Sequence, residues 1–193
     1  MNNKQILILI VLFTFNAYTQ TELADDTSNI ETKRILRSYI TVGYGGTIND
    51  KNWAAGVGWF FPLGENILIG PRANAIFELD AFPIKVPPEN IWNVDLVIKF
   101  IPFLSERFIF SIGGGAGYSI AAKRGKFIRY ALVTAEYEKV YSSSLSLLGE
   151  LETDLLITDN FGVNVIAYTL YADNRIFINF QLGLFLCKIL ELK

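Results

Sequence analysis

Histidine is absent from this chain of 193 residues, and that absence removes a whole class of chemistry. Without an imidazole no Ser-His-Asp arrangement can form, and hydrolases that depend on histidine as acid or base are excluded. Cysteine is nearly as scarce. Cys187 stands alone, so neither an intramolecular disulfide framework nor a cysteine-rich zinc site can be built, and no metal or cofactor is expected. Strong charge of either sign is also missing. Seventeen basic residues face nineteen acidic ones, for a net charge of −2, which argues against nucleic acid as a partner. After residue 20 there is no apolar run of the length a transmembrane helix needs, because every run stops at Gly, Asn, Asp, Glu or Lys.

Yet the chain is greasy: 51% of its residues are hydrophobic and 14% aromatic. High apolar content without helical spans is the composition of a membrane β-barrel, in which only every second residue of a strand faces lipid. The beginning of the chain fits export. Lys4 precedes an aliphatic stretch from Ile6 to Phe15, and Ala17-Tyr18-Thr19 supplies a small-residue cleavage site before Gln20. About ten apolar residues cover only ~15 Å as a helix, too little to anchor in a bilayer. Residues 1–19 are therefore read as a signal peptide, 20–36 as a polar periplasmic lead-in, and 37–193 as the barrel. The single cysteine lies far downstream, so no lipid-bearing cysteine follows the signal.

Period-two alternation predicts strands over 37–47, 52–62, 66–79, 90–101, 106–121, 143–158, 161–172 and 175–188. Ile67, Ile69, Ala73, Ala75 and Phe77 share one face against Arg72, Asn74 and Glu78. Trp92, Val94, Leu96, Ile98 and Phe100 oppose Asn93, Asp95 and Lys99. Leu145, Leu147, Leu151 and Leu155 oppose Glu150, Glu152 and Asp154. With a periplasmic N-terminus, the two longest connectors, Ala81 to Glu89 and Ala122 to Ser142, both fall outside the cell, and the periplasmic turns are short. The expectation is an all-β, closed, antiparallel up-and-down transmembrane barrel of about eight strands. Phe127 to Ala135 is the stretch that would raise the number to ten.

Alternation alone suits a soluble barrel equally well. The aromatics discriminate. Trp53 with Trp59 and Phe61, Trp92 with Phe100, Phe108 and Phe110 with Tyr118, and Phe161 with Tyr171 sit near opposite strand ends. Eight to ten residues of tilted strand span roughly 20–25 Å, the height of the apolar band between two aromatic girdles. On the other face lie Gly43, Gly45, Gly56, Gly58, Gly113, Gly115 and Gly117, leaving room for long side chains inside a narrow barrel. Gly113-Gly114-Gly115-Ala116-Gly117 lacks the Lys-Ser/Thr of a phosphate loop and opens no helix.

With the Val42-Gly43-Tyr44-Gly45-Gly46 and Gly56-Val57-Gly58-Trp59 segments, the glycine run ending in Tyr118, and Phe180-Gln181-Leu182-Gly183-Leu184-Phe185, the chain resembles the small outer-membrane barrels of the OmpX type. It is most similar to the PorT-like barrels of Bacteroidetes. The resemblance covers nearly the whole mature chain and implies residence in the cell outer membrane. It departs at the tail, where Leu186 to Lys193 runs past Phe185 while these families usually end on an aromatic.

Two groups of residues could carry function. Glu150, Glu152 and Asp154 on one strand face could form a cation site or an acid/base pair, or could be neutralised by Arg72 and Lys99 in a structural lumen network that also takes in Glu78 and Asp95. The structural network is preferred, because unpaired carboxylates inside a narrow barrel are very costly. Lys123, Arg124, Lys126 and Arg129, followed by Tyr130, Tyr137 and Tyr141, put positive charge above the outer leaflet, where lipopolysaccharide phosphates or an envelope protein could be bound. The stretch could also prolong its flanking strands beyond the membrane. The expected function is non-enzymatic: a plugged barrel acting through its outer loops in envelope structure or in binding lipids or protein partners. The alternatives are a narrow channel and a soluble lipocalin-like carrier of a small hydrophobic ligand.

Overall fold

The computed structural model describes residues 33–48, 52–78, 88–131 and 134–192. The export segment, the lead-in up to residue 32 and the connector over 81–87 lie outside the described residues. Eight strands form: β1 (Lys33–Thr47), β2 (Asn52–Pro62), β3 (Ile67–Glu78), β4 (Asn90–Leu104), β5 (Phe108–Ala131), β6 (Thr134–Thr158), β7 (Phe161–Ala172) and β8 (Arg175–Leu192). Each pairs antiparallel with the next, and β1 closes the ring against β8 through pairs such as Val42↔Leu184 and Gly43↔Gly183. Closure leaves no sheet edge within the ring. The turns at 63–66, 105–107 and 159–160 lie at one end, called here the turn end. At the hairpin end, β7 and β8 join through Asp173 and Asn174, whose positive φ angles (55° and 59°) are those of a tight two-residue turn.

The faces separate as the alternation requires. Trp92, Val94, Leu96, Ile98 and Phe100 of β4 point outward and are half exposed or more, whereas Asn93, Asp95, Val97 and Lys99 point inward and are buried. The greasy face is thus the outer one, which overturns the carrier reading, since a carrier needs that face turned in. Outward aromatics gather at two heights. Tyr44, Trp53, Phe77, Trp92, Tyr118 and Tyr171 lie toward the hairpin end, with Tyr44 stacked on Trp53 at 5.0 Å. Trp59, Phe61, Phe100, Phe103 and Phe108 lie toward the turn end, with Trp59 and Phe61 at 4.8 Å and Phe103 and Phe108 at 5.7 Å. The outer surface is that of a membrane-spanning barrel.

Inside, apolar side chains pack toward each end. Leu36, Phe60, Ile101, Ile109, Leu156, Phe185 and Cys187 are buried toward the turn end; Ala54, Ile76, Ile91, Ala121, Leu148, Leu170 and Phe177 are buried toward the hairpin end. The polar side chains lie between these layers. Eight strands enclose only enough volume for side chains.

One expected connector is mostly strand. β5 runs on to Ala131 and β6 starts at Thr134, pairing Lys123↔Val140, Arg124↔Lys139, Phe127↔Tyr137 and Arg129↔Glu136 beyond the ring. Residues 127–131 and 134–135 therefore belong to a protruding hairpin and add no strands to the barrel, which has eight and not ten. Its alternation is hidden because both of its faces meet water, and register shifts between Arg124 and Phe127 and between Phe127 and Arg129 break the parity.

Candidate functional site

The lumen cluster is assembled by register. Lys99 of β4 stands opposite Gly113 of β5, which in turn stands opposite Glu150 of β6. The glycine leaves an open position over which Lys99 Nζ reaches Glu150 Oε1 at 2.9 Å; a Cβ there would lie 2.9 Å from Glu150 Cγ and 3.1 Å from Lys99 Cγ. Asp95, Gly117 and Ser146 repeat the arrangement, and Ser146 Oγ donates to Asp95 Oδ1 at 2.5 Å across the glycine.

Lys99 also pairs with Glu152, and its ammonium lies 4.1 Å from the Phe60 ring centroid and 5.2 Å from that of Tyr39. Arg72 Nη1 meets Glu150 Oε2 at 3.1 Å, while its Nε donates to Asn74 and its Nη2 to Gln181, each at 3.1 Å. Tyr39 donates toward both Glu152 and Asp154, the latter at 2.7 Å, and Asn164 Nδ2 donates to Glu152 at 2.5 Å. Arg72, Lys99, Glu150, Glu152 and Asp154 are all buried to within a few percent. Bonded to one another and shut between apolar layers, these carboxylates present no face to a substrate. Charges buried this deeply are tolerable only because each has a partner of opposite sign or a hydrogen bond.

Sequence reasoning therefore grouped six residues that the lumen holds together, and one, Glu78, that it does not. Asp95 is buried in the lumen directly opposite Arg72 on β3 and receives its hydrogen bonds from Asn93 and Ser146. Glu78 sits at the hairpin end against Arg124. Tyr39, Tyr168, Asn164 and Gln181 were missed. Tyr39 shares parity with Gly43 and Gly45, and an aromatic on a glycine-bearing face is the signal that would have placed it inside.

The hairpin end carries a second constellation. Lys123, Asp173, Arg175, Glu89, Arg124 and Glu78 form an alternating chain of charges. Lys123 pairs with Asp173, and Arg175 lies 3.6 Å from both Asp173 and Glu89. Arg124 pairs with Glu78, has its Nε 3.8 Å from Glu89, and donates its backbone N–H to that carboxylate at 3.2 Å. Burial works to raise the Asp173 carboxyl, but hydrogen bonds from Lys123 and Ser142 and the charge of Arg175 outweigh it and hold its pKa below the ordinary carboxylate value. Desolvation alone would lower the Arg124 guanidinium; its bond to Glu78 instead raises it. Farther out, Arg129 makes a two-point contact with Glu136, at 2.7 and 3.3 Å, which holds the Glu136 carboxyl low. Of the four basic residues singled out in this stretch, Lys123, Arg124 and Arg129 are thus committed to carboxylates, and Lys126 is exposed on the hairpin. They do not form one cationic patch.

No protein-family model matches the chain, and no curated protein matches it in sequence. Solved structures do. Ail of Yersinia pestis, crystallised with the heparin analogue sucrose octasulfate, aligns with 80% of this chain and 99% of its own at 12% identity and a TM-score of 0.55. Neisserial surface protein A aligns with 80% of this chain and 97% of its own at 7% identity and a TM-score of 0.54. The N-terminal barrel domain of Pseudomonas aeruginosa OprF aligns with 81% and 98% at 10% identity and a TM-score of 0.51. The fold is that of the small bacterial outer-membrane barrels.

Proposed function

We propose that this protein is a non-enzymatic barrel of the bacterial outer membrane, delivered by the signal peptide at residues 1–19. It works through its hairpin end, turned to the cell exterior, in envelope structure or in binding lipids, lipopolysaccharide among them, or protein partners. The observation that carries this reading is the contrast between the barrel's two surfaces. The lumen is packed with paired charges between apolar layers, while a long hairpin projects beyond the aromatic belt. Among the described residues these side chains fill the lumen, which supports contact made on the outer surfaces. A PorT-like affiliation rests on the glycine-rich segments of β1, β2 and β5 and belongs to the same proposal.

Cell fractionation tests the reading. The protein should be recovered with the outer membrane, migrate on gels with heat-dependent mobility, and lose only hairpin residues to protease added to intact cells. Recovery as a soluble periplasmic protein without detergent would overturn it. The channel alternative is tested separately in planar bilayers, where steady conductance at neutral pH would favour it.

A further inference from the structure

Where the hairpin leaves the barrel wall, three cross-strand rows lie one above another. Trp92 stands beside Ile120, Asn90 beside Ala122 and Ala122 beside Tyr141, and Arg124 beside Lys139. Ala122 is small, and between it and the larger neighbours opens a crevice of about 320 Å³. Trp92 and Tyr141 line it and are 62% and 69% exposed. The lowest row continues the apolar band, and the highest is cationic. Three cations line the crevice (Lys123, Arg124 and Lys139) against one carboxylate, Glu138. Lys123 is held by Asp173, and Arg124 offers Nε and Nη2 to Glu89 and Glu78. Lys139 makes no ion pair among the described residues, and neither does Arg124 Nη1.

A belt tryptophan and tyrosine beneath uncommitted N–H donors match an anionic amphiphile, whose phosphate sits at headgroup depth and whose chain runs down the apolar wall. We propose that this crevice binds the phosphorylated headgroup of a membrane lipid through Lys139 and Arg124, with an acyl chain lying along Ile120 and Trp92. The inference rests on the membrane reading above and adds to it a ligand class and a place. It also moves the lipid contact away from the hairpin's outer basic residues to the junction below them.

The test uses the full mature chain in zwitterionic detergent, with Trp53→Phe and Trp59→Phe leaving Trp92 as the only tryptophan. Mixed micelles containing bromine-labelled phosphatidic acid, the equivalent phosphatidylcholine, or inorganic phosphate are titrated in, and Trp92 quenching is read. Phosphatidic acid should quench at the lower mole fraction. Ala122→Phe, which fills the crevice, and Lys139→Glu should each raise the half-quenching point about tenfold, the effect of losing a charge-assisted contact. Inorganic phosphate should not compete. Equal quenching by both lipids, or variants that leave the titration unchanged, would overturn the proposal. Competition by millimolar phosphate would reduce the site to a simple anion site and overturn the lipid assignment. Heat-dependent gel mobility shows that each variant is a closed barrel, and Lys139→Gln replaces any variant that fails it. A protein that proves soluble without detergent defeats the membrane reading itself, and that outcome is distinct from unchanged titrations in an intact barrel.

Discussion

Replacing Lys99 with methionine probes the lumen most sharply. The substitution keeps most of the apolar stem and removes only the charge that Glu150 and Glu152 share. At 2.9 Å and an effective dielectric of about 20, the attraction to Glu150 alone is about 6 kcal/mol before the cost of desolvating both ions is subtracted. Removing one partner of such a buried pair leaves an uncompensated charge and costs about 3–5 kcal/mol. Arg72, 3.1 Å from Glu150, can balance one carboxylate but not two. The double variant Lys99→Met with Glu152→Gln should therefore recover most of the loss, to within about 1–2 kcal/mol of the parent. Urea unfolding in phospholipid vesicles, followed by heat-dependent gel mobility, measures both. A single variant costing under about 1 kcal/mol, or a double variant no better than the single, would refute the claim that paired charge holds the interior together.

Other consequences follow from the same geometry. Tyr39 has one hydroxyl hydrogen and two carboxyl neighbours, Glu152 and Asp154, so an amide at 154 supplies the missing donor. Asp154→Asn should be neutral or stabilising in urea melts while Tyr39→Phe costs about 1–3 kcal/mol, and the opposite order would break the assignment. Gly113→Ala places a methyl against Glu150 and Lys99 and should cost about 1–3 kcal/mol in the same melts, with Gly149→Ala, whose Cβ meets nothing within 4 Å, as the neutral control. The depressed carboxyl of Asp173 makes its stabilisation fully present above the ordinary carboxylate value of about 4 and lost as pH falls through the lower folded value. Protection factors of amides 123–131 and 134–141, taken relative to the intrinsic exchange rate at each pH, should therefore be high at pH 5 and fall once the pH drops below the ordinary carboxylate value, while those of ring amides such as β7 change little; uniform protection factors across that range would remove the rim ion pairs from the explanation.

Much of the barrel was legible because period two is strict: a residue's parity decides its face wherever one face is buried. That is why Glu150, Glu152 and Asp154 could be placed inside with Lys99 and Arg72, and Leu145, Leu147, Leu151 and Leu155 outside. Pairing across strands was less accessible, since it depends on the shear of the ring. Glu78 shares parity with Arg72 yet lies six residues further along β3, and that distance carries it out of the lumen cluster to Arg124. The glycines hold a clue that parity alone does not use. Gly113 and Gly117 mark the rows where partners on β4 and β6 meet over β5, so the spacing Lys99–Asp95 on one strand mirrors Glu150–Ser146 on the other. The protruding hairpin escaped because two solvated faces erase the contrast on which alternation depends, and its bulges shift what contrast is left.

That hairpin raises a problem of its own, since strands outside a closed ring have edges. β4 stops pairing with β5 at Ala122, and β7 stops pairing with β6 at Leu147, so the outer stretches of β5 and β6 bond to each other, and no strand among the described residues pairs with their far sides. A flat, greasy edge of that kind invites another strand. Here the edges are kinked by two register shifts and furnished with Lys126, Arg129, Glu136, Glu138 and Lys139. Charge and irregularity of this sort oppose strand addition. The base of the hairpin is meanwhile fixed by the alternating ion pairs from Lys123 to Glu78, which join it to β3, to the start of β4 and to the β7–β8 turn. A rigid base and guarded edges leave the side-chain surfaces, and above all the crevice under Lys139, as the places where this molecule meets its surroundings.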